Sequence, residues 1–271
     1  MKKYASGIIL CVLCFCAAKV CANMSVYPYS ADFDSSSKKR VVSINVTNPT
    51  NEKKTYRISV VDMKQKPDGS YEDIPAGEKP ADSAAPFITF SPKQFTLDGK
   101  DMQVVNISRK PLLNAPDGDY TSHLKIQEVD TPVSAAAAEA RQQLSVEIKF
   151  KYNITIPIYI KKGKTEGSAA IASAKLTQRN GASGLEVKLK REEGMKYFRG
   201  KIVAMADKKV IAEVKNIRIY PSTSERDVFV PLKKEVNAED LAGKKVKIVY
   251  KHDAEKEKAD KGDICEAEFT L

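Results

Sequence analysis

The chain has no tryptophan and two histidines, and four of its five cysteines (Cys11, Cys14, Cys16 and Cys21) fall near the N-terminus. Each scarcity removes a class of explanation. Beyond residue 22 the lone thiol is Cys265, so neither an internal disulfide nor a cysteine-based metal site can be assembled. His123 sits in a strand-like run and His252 beside Asp253 in a charged one, and neither has a companion at ligand or nucleophile spacing. No G-x-S-x-G elbow, P-loop or dinucleotide fingerprint occurs. These absences argue against an enzyme, and they leave no metal or cofactor to expect.

Long apolar runs are equally scarce. The one near the start, "GIILCVLCFCAA", follows Lys2 and Lys3 and is broken by Lys19. It is too short to span a bilayer comfortably. It reads as a secretory leader over residues 1–22, with cleavage after Ala22 behind small residues, and the rest of the chain is expected to have no membrane span. The formal net charge is +10, but the lysines are spread among acids and no nucleic-acid-binding motif accompanies them, so nucleic acid is not an expected partner.

What the chain does have is alternation punctuated by turns. "VVSINVTN" (41–48), "TYRISVVDM" (55–63), "PFITFSP" (86–92), "MQVVNISR" (102–109) and "DYTSHLKIQEV" (119–129) read as strands. Asn48-Pro49, Pro67-Asp68-Gly69, Asp98-Gly99 and Pro116-Asp117-Gly118 separate them with residues that fix or free φ or bond locally. Short strands at this spacing predict an antiparallel sandwich. Tyr120, just after the 116–118 turn, is placed where a tyrosine corner would bond back to the upstream loop. "TPVSAAAAEARQQL" (131–144) reads as a long connection, and the polar stretch 161–168 as a domain boundary. Strand patterning then resumes to the C-terminus, with a turn at Asn180-Gly181 and one helical turn in "NAEDLAG" (237–243).

One segment is out of proportion. From Leu144 to Ile160 every even position is apolar or aromatic. At about 3.3 Å per residue such a strand would reach about 56 Å, roughly twice what one sandwich needs. Either two ordinary half-buried strands meet near Asn153 or Pro157, with Pro157 marking a bend, or the first part is lent to another protein, whose pockets its alternate side chains would fill.

Four stretches resemble the periplasmic chaperones of pilus (fimbrial) assembly, the PapD-like family, and its archaic branch in particular: "YRISVVDMKQKPDGSYEDI" (56–74), "PFITFSPKQFTLDGKDMQVVNISRKP" (86–111), "PDGDYTSHLKIQEV" (116–129) and "ITIPIYIKKG" (154–163). The resemblance implies an all-β chain of two immunoglobulin-like β-sandwich domains set as a boomerang, residues 23–162 and 163–271. It implies a periplasmic chaperone, not an enzyme, that stabilises pilus subunits by donor-strand complementation and passes them to an outer-membrane usher. A structural pilin-like or adhesin module is the alternative. Carried onto this chain, Val146, Ile148, Phe150 and Tyr152 would be the donor side chains. The family's two cations for the subunit's terminal carboxylate align with Ser30 and Pro157, which carry no charge. Either another cation substitutes, with Lys161 and Arg57 the candidates, or anchoring rests more on main-chain pairing.

Overall fold

The computed structural model describes residues 23–75, 77–130, 151–252 and 262–271. Its described residues form two β-sandwiches, each with its own apolar core. The first core draws its buried residues from Met24 to Ile160 and the second from Ala169 to Tyr250.

In the first sandwich, β1 (Ser25–Tyr27), β3 (Val41–Thr47), β9 (Met102–Arg109) and β7 (Ile88–Ser91) make one sheet, in the order β1-β3-β9-β7. The facing sheet runs β2 (Ala31–Asp34), β11 (Asn153–Lys162), β10 (Gly118–Val129), β4 (Lys54–Val61) and β8 (Gln94–Leu97). Two segments change sheet partway. β1 gives way to β2 across Pro28, and β7 to β8 across Pro92; both prolines follow cis peptide bonds. A proline lacks the N–H that would continue a ladder, so each marks where one sheet's pairing stops. Seven principal strands in two facing sheets, with the first strand divided between them, give an immunoglobulin-like arrangement. β5 (Met63–Gln65) and β6 (Tyr71–Asp73) form a separate hairpin.

The expected alternation holds where it can be checked. Ile44 and Val46, Ile58, Val105 and Ile107, and Leu124 and Ile126 point inward from β3, β4, β9 and β10. The tyrosine corner is present, with the Tyr120 hydroxyl donating to the Pro116 carbonyl at 2.7 Å.

The second sandwich pairs β12 (Gly167–Arg179), β13 (Ala182–Gly194) and β16 (Glu225–Pro231) against β14 (Phe198–Ala206), β15 (Lys209–Ile219), β17 (Lys245–His252) and β18 (Asp263–Thr270), the latter in the order β15-β14-β17-β18. The β12–β13 hairpin turns at Asn180 and Gly181, both at positive φ (51° and 78°), the pairing that suits the twist of a two-residue loop. The helical turn expected at 237–243 is a 3-10 turn at Glu239–Leu241. Among the described residues no helix is long and apolar enough to cross a membrane.

One expectation is corrected. No strand junction falls at Pro157: β11 runs from Asn153 to Lys162 and keeps its register with β10 through that residue. The physical reason lies at the sheet's edge. β2 begins pairing with β11 only at Ile158, so the missing Pro157 N–H falls where no neighbouring strand asks for it. Residues 144–150, the first part of the expected long strand, lie outside the described residues.

Candidate functional site

β11 positions the site, and its pattern explains how. Ile154, Ile156, Ile158 and Ile160 point into the first core, the last three fully buried. Thr155, Pro157, Tyr159 and Lys161 therefore point to the outer face. On one side β11 is paired with β10 along its whole length, Gln127 opposite Asn153 and Gly118 opposite Lys162. On the other side β2 covers only Ile158–Lys161. Among the described residues, Asn153–Pro157 is thus an open strand edge, with main-chain groups available to a further strand.

Tyr152 sits at the start of this edge. Its carbonyl still accepts from the Glu128 N–H at 3.0 Å, while the residue is 47% exposed. Of the four expected donor residues it is the one that can be placed; Val146, Ile148 and Phe150 lie outside the described residues. β10 ends at Val129, level with Lys151. Lys151 closes that end with an ion pair to Asp130 at 2.6 Å.

The two candidate anchor cations are not brought together. Lys161 faces Asp119 on β10 and Asp34 on β2, while Arg57 on β4 faces Gln127 and bonds Gln94 through Nε at 3.2 Å. Asp119 and Gln127 are eight residues apart on β10, so the cations are separated by roughly 26 Å along the sheet. No single carboxylate can meet both. Lys161 is moreover offset by acid: it helps hold the Asp34 carboxyl below its usual range, behind the larger effect of the Ser36 hydroxyl bond.

The positions aligned with the family's cations do come together. The pairing of Ala31 with Ile158 puts Ser30 beside Pro157, on the face turned to the second sandwich. The Ser30 hydroxyl donates to Asp32 at 2.8 Å. Charge is present nearby, contributed from the other domain. Arg199 on β14 and Arg218 on β15 are directly opposite each other across the ladder. Arg199 approaches the Asp32 carboxylate at 3.8 Å, and the Arg218 guanidinium lies 5.8 Å from the Tyr159 ring centroid. Both Nε atoms are buried and, among the described residues, have no hydrogen-bond partner. The pair thus sets two guanidinium groups side by side where the second sandwich meets β2 and β11 of the first. Sequence reasoning missed both arginines. They stand in strands with ordinary alternation, and no local signal ties them to β11.

The cleft floor is aromatic. The Tyr159 ring stacks on Tyr197 with centroids 4.5 Å apart, and Tyr220 lies 5.9 Å from Tyr197. His123 joins this cluster, buried at 3% exposure, as a packed residue rather than a ligand. Burial pushes the Tyr159, Tyr197 and Tyr220 phenols well up, so all three stay neutral. Cys265 is also pushed up by burial, to about 11, and behaves as an apolar side chain.

No family model and no curated protein matches the chain. Solved structures similar to it include the YadV chaperone (12% identity, TM-score 0.45, covering 92% of this chain and all of that one) and the CupB2 chaperone of Pseudomonas aeruginosa (13%, 0.45, 91% and 100%). A third is the CsuC–CsuE chaperone–tip adhesion subunit pre-assembly complex from the archaic chaperone-usher Csu pili of Acinetobacter baumannii (13%, 0.41, 76% and 90%). At these identities and TM-scores the likeness carries no argument; the fold rests on the strand order described above.

Proposed function

We propose that the chain is a periplasmic chaperone of pilus subunits that works by binding, without turnover chemistry. The observation that carries this reading is the open edge at Asn153–Pro157, directly continuous with the apolar alternation of residues 144–152. An edge of this kind gives a partner strand main-chain hydrogen bonds, and Val146, Ile148, Phe150 and Tyr152 would fill pockets in a subunit whose own sandwich lacks a strand. The subunit is then delivered to an outer-membrane usher.

In this reading the terminal carboxylate of the subunit meets the Arg199–Arg218 pair rather than Lys161 or Arg57. The arginines stand against Asp32 and Tyr159, each two residues along from Ser30 and Pro157, and a bidentate fork suits a carboxylate.

The test is coexpression of the full chain with a pilus subunit that lacks its last strand, followed by copurification. Ile148→Asp with Phe150→Asp is expected to leave the far-ultraviolet spectrum and the Tm unchanged and to abolish capture. Arg218→Glu is expected to weaken capture tenfold or more. Wild-type capture by the double variant would overturn the donor assignment; wild-type capture by Arg218→Glu would overturn the arginine anchor alone.

A further inference from the structure

The polar half of β10 is buried between the two sandwiches. Gly118 to Leu124 is buried without a break: the second domain meets Asp119 through Met195 and Tyr197 and His123 through Tyr220, while Asp82 and Ser83 of the first sandwich lie along Thr121. Two clasps flank this contact. On one side the Tyr197 N–H donates to the Asp119 carboxylate at 2.7 Å and the Asp119 N–H to the Met195 carbonyl at 2.9 Å. On the other, the β5–β6 hairpin lies on the second domain: the Tyr220 N–H donates to Gln65 Oε1 at 3.3 Å and the Asp227 N–H to the Pro67 carbonyl at 2.7 Å.

His123 stands between the clasps. Its Nε2 is 3.2 Å from the Tyr220 hydroxyl, and its Nδ1 is buried with no partner among the described residues. Its ring meets Tyr71 edge-on at 5.1 Å and Tyr220 at 5.8 Å. The charged and titratable groups packed about it are few. Tyr71 comes from β6, Arg218 from β15 and Tyr220 from just past its end, Tyr159 from β11, and Asp62 follows β4. The Asp62 carboxylate is already occupied by the Ser83 and Ser122 hydroxyls at 2.8 and 2.5 Å. A second proton on this ring would need a new acceptor for Nδ1 and would set an imidazolium near the Arg218 guanidinium.

We propose that His123 is an acid-sensitive pin between the two sandwiches: neutral, it lets them close on each other, and protonated, it opens the contact. This does not depend on the chaperone reading. Burial is the main reason the ring resists protonation. It holds the His123 pKa down to about 4, with Arg218 adding to the effect and Asp62 opposing it. An exposed imidazole titrates near 6.5, so between those values the open form binds the extra proton and the closed form does not. Closure is therefore at full strength above about pH 6.5 and weakens as pH falls towards 4. At pH 5 the open form gains roughly 30-fold in population over neutral pH.

Hydrogen exchange on the full chain reads this directly. The amides of Tyr197, Tyr220 and Asp227 cross the interface, and at pH 5.0 they should lose roughly 30-fold of the protection they have at pH 7.5, after correction for intrinsic rate. Core amides such as Ile107 and Ile248 should not change. His123→Phe should remove the pH dependence. Loss of protection at pH 5.0 that persists in His123→Phe overturns the proposal, as does full protection at pH 5.0 in the wild type. Should that variant fail to fold, the wild-type imidazole decides alone. The chain has two histidines, so His252→Asn assigns both signals by NMR, and a His123 that titrates near 6.5 overturns the pin.

Discussion

The Tyr120 hydroxyl bonds back to the Pro116 carbonyl at 2.7 Å, as its place after the 116–118 turn predicts, while its ring packs edge-on against Phe87 at 5.5 Å. The ring is 3% exposed, so Tyr120→Phe keeps the packing and loses one hydrogen bond. We expect about 1 kcal/mol lower stability in urea denaturation, with an unchanged m-value. Other residue-level facts were not legible. Lys54 and Glu128 form an ion pair at 3.0 Å with both side chains largely buried, and their partnership across β4 and β10 becomes visible only once the two strands are in register.

At the level of elements, the alternation in the text located most strands to within one or two residues, because a sandwich buries one face of each strand and exposes the other. It failed where that premise fails. β10 reads as a strand with a polar face, yet that face is buried over its first half, at Asp119 and His123 by the second domain. Pro157 reads as a junction between two strands and proves to lie inside one strand, at an open edge. Close approach between strands was equally invisible. At Gly200 on β14 an added Cβ would collide with the Lys251 carbonyl on β17. Gly200→Val is therefore expected to unfold the second sandwich or to cost several kcal/mol, measured by thermal unfolding, because the obstacle is backbone and cannot rotate away.

For the whole molecule, the decisive feature is that the domains meet through an aromatic cluster ringed by main-chain hydrogen bonds. Tyr197→Ala removes ring contacts to both Tyr159 and Tyr220 without touching either core. We expect the two sandwiches to keep their own folds while their coupling falls by on the order of 2 kcal/mol, seen as unfolding transitions that separate in calorimetry. The amino-acid sequence by itself determined the β class, most strand positions, the turns and the tyrosine corner, since periodicity and φ preference are local properties. Only the tertiary structure decided which half of β11 stays unpaired, that Arg199 and Arg218 face the cleft while Lys161 and Arg57 stand far apart, and that His123 is sealed between domains. Those outcomes depend on strand register and on one sandwich covering another, and residues far apart in the chain, such as His123 and Tyr220, meet only when both are in place.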